Sequence, residues 1–272
     1  MSNGLAWSSA GDPNRRLGRA VEFHASIGST NDRAWSLLRE GEEGIAVVAD
    51  LQTAGRGRLG RTWSSPAGVN LMVSIGIRPK VRATDAWQLG AATALAVRGA
   101  CVSLLPRETD DVIWLKWPND VVDGRGRKLA GLLLETAITG DRVAEAVVGV
   151  GMNVNWPRAQ MPPEIAGRAT SLIEISTGAV DRVTLLNTYL TALAGEIVAV
   201  EAGTSPLQRY RAASWLTGRE VSVSAGDETV AGRVQGIGGD GSLDVETPGG
   251  IVSIAYGEVV QVGVEGVPVL ST

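Results

Sequence analysis

From Val112 to Asn155 the sequence runs as strand after strand, and no arrangement without a sizeable sheet can accommodate it. Val112–Lys116 and Lys128–Thr136 are short apolar runs. Val143–Asn155 follows across Gly140-Asp141, a turn pair that predicts a hairpin. Upstream, Arg19–His24 and Ile45–Asp50 predict two more strands. Leu71, Val73, Ile75 and Ile77 alternate with Asn70, Met72, Ser74 and Gly76, which predicts a half-buried strand. Helical patterns surround these runs. Ser29 to Asp32 supply cap-type residues ahead of Ala34, Leu37 and Leu38, with a stop near Gly41 or Gly44. Thr84 to about Leu104 reads as an Ala-rich helix. Behind the cap Asp181, Val183, Leu186, Leu190, Leu193, Ile197 and Val200 recur at helical spacing, and a last helix is predicted from Ser205-Pro206 to Gly218.

After Arg219 five short β-rich runs are separated by Gly226-Asp227, Gly238–Gly241, Pro248–Gly250 and Tyr256-Gly257, the pattern of a small barrel. This part has two arginines against eight acids, a net of −6. The expected organisation is a loose tail over residues 1–18, a larger unit over 19–217, and a small β domain over 218–272. The 272 residues suffice for that division.

Several chemistries are excluded early. The net charge of −4 argues against broad electrostatic binding of nucleic acid. No uninterrupted apolar run approaches the roughly 20 residues of a membrane span. The N-terminus has no apolar signal core, so a cytoplasmic chain is expected. The one cysteine, Cys101, lies in the apolar stretch Ala91–Leu105 and reads as a small buried hydrophobe. The one histidine, His24, reads as packing near the end of the first strand, and no nucleophile elbow accompanies it.

Basic residues are divided unevenly, with 22 arginines against three lysines, Lys80, Lys116 and Lys128. An ammonium on a flexible stem can follow an oxygen that moves during reaction, whereas a planar guanidinium fork cannot. Lys116 and Lys128 fall in the most unusual segments.

Four segments carry chemistry. In Gly55-Arg56-Gly57-Arg58-Leu59-Gly60-Arg61, glycines permit close backbone approach and arginines offer forks for phosphate and carboxylate oxygens. The loop is neither a Walker A nor a dinucleotide fingerprint. Lys116-Trp117-Pro118-Asn119-Asp120 ends a strand. There Trp117 is an apolar anchor, Asn119 suits an ordinary turn, and Asp120 is a carboxylate able to relieve an acceptor amine of its proton. Lys128 opens an apolar strand with Gly131 three residues on, the latter also explicable as a bulge. Within Val147–Asn155, Gly149, Gly151 and Asn153 fall on one face of a strand, which leaves either a slot for a flat ligand or room for another backbone.

Taken in order, Ser29-Thr30-Asn31, Gln52 with Gly55–Arg61 and Trp63, Lys116–Asp120, Lys128–Gly131 and Gly149–Asn153 resemble a biotin–protein ligase. The resemblance implies an α+β fold: a mixed sheet with flanking helices, related to class II aminoacyl-tRNA synthetases, then a C-terminal SH3-like barrel. The order of elements agrees with that. It implies that Ser29, Thr30, Asn31 and Gln52 line a biotin pocket, and that Gly55, Arg56, Gly57 and Arg58 belong to a loop folding over the acyl-adenylate. Lys128 would touch the biotin carboxylate and the α-phosphate, with Gly131 allowing close approach. Trp63 and Asn153 would hold the adenine, with Arg61, Gly149 and Gly151 on the nucleotide side. Arg58, Lys128 and Asp120 would carry the reaction, with no metal ligands assigned.

The substrates implied are biotin and ATP with Mg2+. The implied partner is the carboxyl carrier domain of a biotin-dependent carboxylase, met by a monomer or a homodimer. Only 28 residues precede Ser29, so the winged helix of the family's repressors is not expected. Leu59 and Asp32 depart from relatives in ways that bear on how tightly the loop closes. A lipoate–protein ligase is the nearest rival. A nucleic-acid module built on the Gly/Arg loop and a non-enzymatic biotin binder are the others.

Overall fold

The structure is a computed structural model describing residues 6–106, 112–176 and 178–263. Its first part is a seven-stranded mixed sheet in the order β1-β2-β3-β7-β6-β5-β4. The strands are β1 (Ala20–His24), β2 (Ile45–Ala49), β3 (Leu71–Ile77), β4 (Ile113–Lys116), β5 (Asp120–Asp123), β6 (Lys128–Thr139) and β7 (Arg142–Met152). Only β1 and β2 run parallel. The helix between them, α1 (Thr30–Arg39), is the crossover that a parallel pair requires. β6 and β7 form the expected hairpin.

Alternation along the strands divides the core. Val47 and Val147 face α1, where Ala34, Leu37 and Leu38 meet them at helical spacing. Ala46, Val48, Val73, Ile75, Val148 and Val150 face the opposite layer, built on α2 (Trp87–Ser103) and a later helix, α5 (Arg182–Glu201). Alanines on the buried face of α2 let α5 approach closely. By length and composition α5 could cross a membrane, but Leu185, Leu186, Tyr189, Leu190, Leu193, Ile197 and Val200 are buried in this core. Asp181 caps it as expected, accepting from the Thr184 amide at 2.6 Å. Cys101 is fully buried, and burial pushes its thiol up to about 12, so it is no nucleophile.

Two short helices, α3 (Pro163–Ala166) and α4 (Leu172–Ile175), occupy the stretch before α5, and α6 (Leu207–Ala212) follows it. A second, antiparallel sheet ends the described chain, ordered β11-β10-β9-β8-β12. It comprises β8 (Glu220–Ala225), β9 (Glu228–Ile237), β10 (Leu243–Thr247), β11 (Gly250–Ile254) and β12 (Glu258–Val262).

Four expectations need correction. β3 is buried along its whole length, because α1 covers one face and the α2/α5 layer the other. Asp120, which with Asn119 suits a turn, instead opens strand β5, since Val121 and Val122 bury between β4 and β6. The helix after Ser205-Pro206 stops at Ala212, where Ser214 and Trp215 join Leu115 of β4 instead. Residues 6–18 are not a loose tail: Trp7, Ala10 and Leu17 are each at most 3% exposed. Trp7 stacks on Phe23 and under the Arg182 guanidinium. The parts of the tail and of the β domain at 1–5 and 264–272 lie outside the described residues.

Candidate active site

Cross-strand register assembles the site. Lys116 of β4 lies opposite Asp120 of β5, Asp120 opposite Gly131 of β6, and Gly131 opposite Gly151 of β7. Opposed residues in antiparallel strands share a face, so two charged residues and two bare glycines form one row. A Cβ on Gly131 would lie 2.8 Å from Lys128 Cε and 2.9 Å from its Nζ. The missing side chain is therefore the space into which Lys128 folds back, and its Nζ comes to rest 2.7 Å from Asp120 Oδ1. The Lys128 backbone is fixed by its amide donating to the Arg168 carbonyl and its carbonyl accepting from the Thr170 amide.

Gly149 and Gly151 face the same cleft, but side chains from elsewhere in the chain fill the space over them. A Cβ on Gly149 would meet Asn31 Oδ1 at 2.1 Å, and one on Gly151 would meet Trp63 Cε2 at 2.4 Å. Trp63 is thus an aromatic wall lying on stripped backbone. Lys128 Nζ sits 5.6 Å from its ring centroid, and its indole N–H is buried with no partner among the described residues. Gly151→Ala is expected to displace Trp63 and, if the nucleotide implied by the sequence stacks on this ring, to raise its KM about tenfold, with little change in melting temperature. Steady-state kinetics at saturating biotin, beside a thermal melt, checks this.

The other end of the cleft is a chain of hydrogen bonds at the start of α1. Gln52 Oε1 accepts from the Thr30 amide at 2.8 Å and from its hydroxyl at 3.0 Å. Thr30 Oγ1 lies 2.7 Å from Ser74 Oγ, which donates to Asn31 Oδ1 at 2.6 Å. Asn31 Nδ2 in turn donates to Glu135 at 2.8 Å. Ser29 holds the N-cap position, but its hydroxyl does not cap the helix and instead lines the cleft. Buried polar networks of this kind hold their members in fixed directions.

The Gly/Arg loop closes one side as a hairpin, with the Gly57 amide donating to the Arg61 carbonyl and the Trp63 amide to the Gly55 carbonyl. Arg58 reaches inward. Burial pulls its guanidinium below the ordinary value, against the opposing pull of Asp120 and Glu258. Lys116 is likewise pulled down by burial. Arg61 pairs with Glu258 at the start of β12, which brings the second sheet to the rim.

Of the residues expected at the site, Ser29, Thr30, Asn31, Gln52, Arg56, Gly57, Arg58, Arg61, Trp63, Asp120, Lys128, Gly131, Gly149 and Gly151 line this one cleft. Two do not. Gly55 is buried beneath the Trp63 carbonyl and serves the hairpin. Asn153 lies beyond the end of β7, so the strand alternation no longer aims it at the cleft. It is 5% exposed, and its carboxamide donates to the carbonyls of Thr170 and Lys128 and accepts from Asn70. Its place is behind Lys128, outside the residues that line the cleft. Lys116, Ser74, Leu133, Glu258 and Val259 also line the cleft and were not assigned from the sequence. Lys116 was within reach, as one of three lysines set in an unusual motif; Glu258, a lone acid in an acidic segment, gave no signal.

Comparison with known proteins agrees in both parts. Residues 23–153 match the biotin/lipoate A/B protein ligase family, and residues 216–261 match the biotin protein ligase C-terminal domain. A biotin–[acetyl-CoA-carboxylase] ligase of Mycobacterium tuberculosis is 35% identical over 250 residues, 89% of each chain. One from Paracoccus denitrificans is 32% identical over 86% of this chain and 98% of its own. The biotin protein ligase of Aquifex aeolicus, solved with biotin and ATP, superposes with a TM-score of 0.73 at 32% identity, covering 88% of this chain and 96% of that one. A lipoate-specific enzyme would not account for the match over 216–261: the chain belongs to the biotin protein ligase family.

Proposed function

We propose that the chain forms biotinyl-5'-AMP from biotin and ATP, and transfers the biotinyl group to a lysine of a biotin carboxyl carrier domain of the acetyl-CoA carboxylase type. The biotin carboxylate attacks the α-phosphorus and pyrophosphate leaves. The carrier amine then attacks the acyl carbon and AMP leaves. Both steps crowd anionic oxygens, so the requirement is placed positive charge and exclusion of water. One observation carries this reading: Arg58 from the loop and Lys128 from β6 meet at the same cleft, around Asp120.

Within that reading, the α1 end of the cleft receives the polar ring of biotin through Ser29, Thr30, Asn31 and Gln52. Arg58 and Lys128 hold the carboxyl–phosphoryl junction, and Trp63 over Gly131 and Gly151 receives the adenine. Magnesium arrives with ATP as part of the substrate. The two acids lining the cleft, Asp120 and Glu258, already face Lys128 and Arg61, so the phosphates supply its main ligands. The sheet and helices are of the class II synthetase type, the C-terminal sheet is an SH3-like barrel, and the enzyme acts in the cytoplasm as a monomer or homodimer without binding nucleic acid.

Biotin-dependent exchange of labelled pyrophosphate into ATP tests the first step. Exchange driven by biotin and not by lipoate is expected; exchange driven equally well by lipoate would overturn the choice of acid.

A further inference from the structure

One side of the Gly/Arg loop is held by Asp32, in the first turn of α1. Arg56 Nη1 donates to Asp32 Oδ2 at 2.8 Å and Nη2 to Oδ1 at 2.7 Å, a bidentate fork. Arg56 also lies 3.5 Å from Glu135, the carboxylate that accepts from Asn31 and Trp35. The guanidinium beside Asp32 holds its carboxyl below the ordinary range. With its fork occupied, Arg56 anchors the loop, while Arg58, two residues on, reaches into the cleft. The loop is short of other fixings on this side: Leu59 is 73% exposed in a left-handed conformation at φ 54°, and Gly60 follows at φ 73°. On the other side Arg58 Nη1 donates to Asn119 Oδ1 and to the Gly257 carbonyl and Arg61 pairs with Glu258, so the Asp32 fork is what ties the loop to α1.

We infer that Asp32 is a positioning residue that clamps the Gly/Arg loop through Arg56, and so sets how long the reactive adenylate is retained. This rests on the proposed adenylating reaction. Asp32 does not line the cleft, whereas its partner Arg56 does, so its effect reaches the ligand through the loop. The pair is exposed, at 41% for Arg56 and 59% for Asp32, so its strength is that of a surface bidentate pair and falls with salt.

Asp32→Asn and Asp32→Glu are compared with the parent chain in two experiments. The first needs no ligand: trypsin cleavage after the loop arginines, followed by mass spectrometry. Asp32→Asn is expected to be cut about fivefold faster, the ratio equivalent to a pair worth about 1 kcal/mol. Asp32→Glu should return toward the parent rate. In about 1 M salt, where the screening length is about 3 Å, the parent should approach the Asp32→Asn rate. The second is release of preformed biotinyl-5'-AMP in a chase, expected to accelerate by a similar factor in Asp32→Asn alone. Equal cleavage rates, an equal acceleration in Asp32→Glu, or faster cleavage without faster release each overturns the inference. Absence of any adenylate in the parent chain, with the cleavage pattern as expected, would count against the adenylating reaction and not against the clamp.

Discussion

Lys128→Ala is expected to fold normally and to lose about three orders of magnitude of biotin-dependent pyrophosphate exchange, the upper range for removing one preorganised electrostatic group. The fold survives because Lys128 contributes little to the core. Its side chain is 36% exposed, and its backbone is held by Arg168, Thr170 and Asn153, none of which needs the ammonium. Asp120, deprived of Lys128, still faces Lys116 across β4 and the Arg58 guanidinium. In the proposed reaction chemistry is lost because Lys128, paired with Asp120 in the cleft, is the mobile cation placed to follow charge from carboxylate to phosphoryl oxygen. Lys128→Arg should recover little of the activity. The space over Gly131 and under Trp63 is shaped to a narrow stem, and a planar fork has no room to turn there. Initial exchange rates, with thermal melts to verify folding, decide it, and exchange near the parent rate in Lys128→Ala would remove this residue from the mechanism.

The residues most legible in the sequence were those whose type breaks a local rule. Glycines at 131, 149 and 151 weaken strands for no local reason, and each proves to make room for a side chain: Lys128, Asn31 and Trp63 respectively. A lysine opening an apolar strand, in a chain with only three, was equally conspicuous. What the sequence concealed depends on distant parts of the chain. Alternation suggested a half-buried β3, and only the packing of α1 against one face and α2 with α5 against the other makes it central. Asn153 followed the parity of Gly149 and Gly151, but the strand ends at Met152, and the next turn spends its amide on backbone carbonyls. Pro118-Asn119-Asp120 has the composition of a turn, yet Asp120 begins β5, because Val121 and Val122 have a core to enter. Glu258 reaches the cleft only because the second sheet sits at its rim, a placement no local pattern encodes.

Asp120→Asn should divide the reaction. Asparagine keeps the shape and an acceptor oxygen but loses the charge and the ability to take a proton. In the resting chain Asp120 is the counter-ion of Lys128, at 2.7 Å, and its place between Lys116 and Gly131 is fixed by register on both sides. For adenylation Lys128 must turn toward anionic oxygens of the substrates, and a neutral neighbour does not hinder that. Pyrophosphate exchange is therefore expected to change by no more than a few-fold, the scale of a partly exposed ion pair. Transfer is different, because the acceptor amine has an ordinary pKa of about 10.4 and arrives as an ammonium that must lose a proton beside the adenylate. With Asp120 neutral, both the attraction for that ammonium and the base are lost, and the single-turnover transfer rate should fall about a hundredfold. The deficit should narrow as pH rises from about 7 to about 9.5, since the fraction of free amine grows tenfold per unit below its pKa and no longer depends on the enzyme. Preformed enzyme-bound adenylate mixed with carrier across that range measures it. Equal losses in exchange and transfer, or a deficit indifferent to pH, would leave Asp120 as the partner of Lys128 and nothing more.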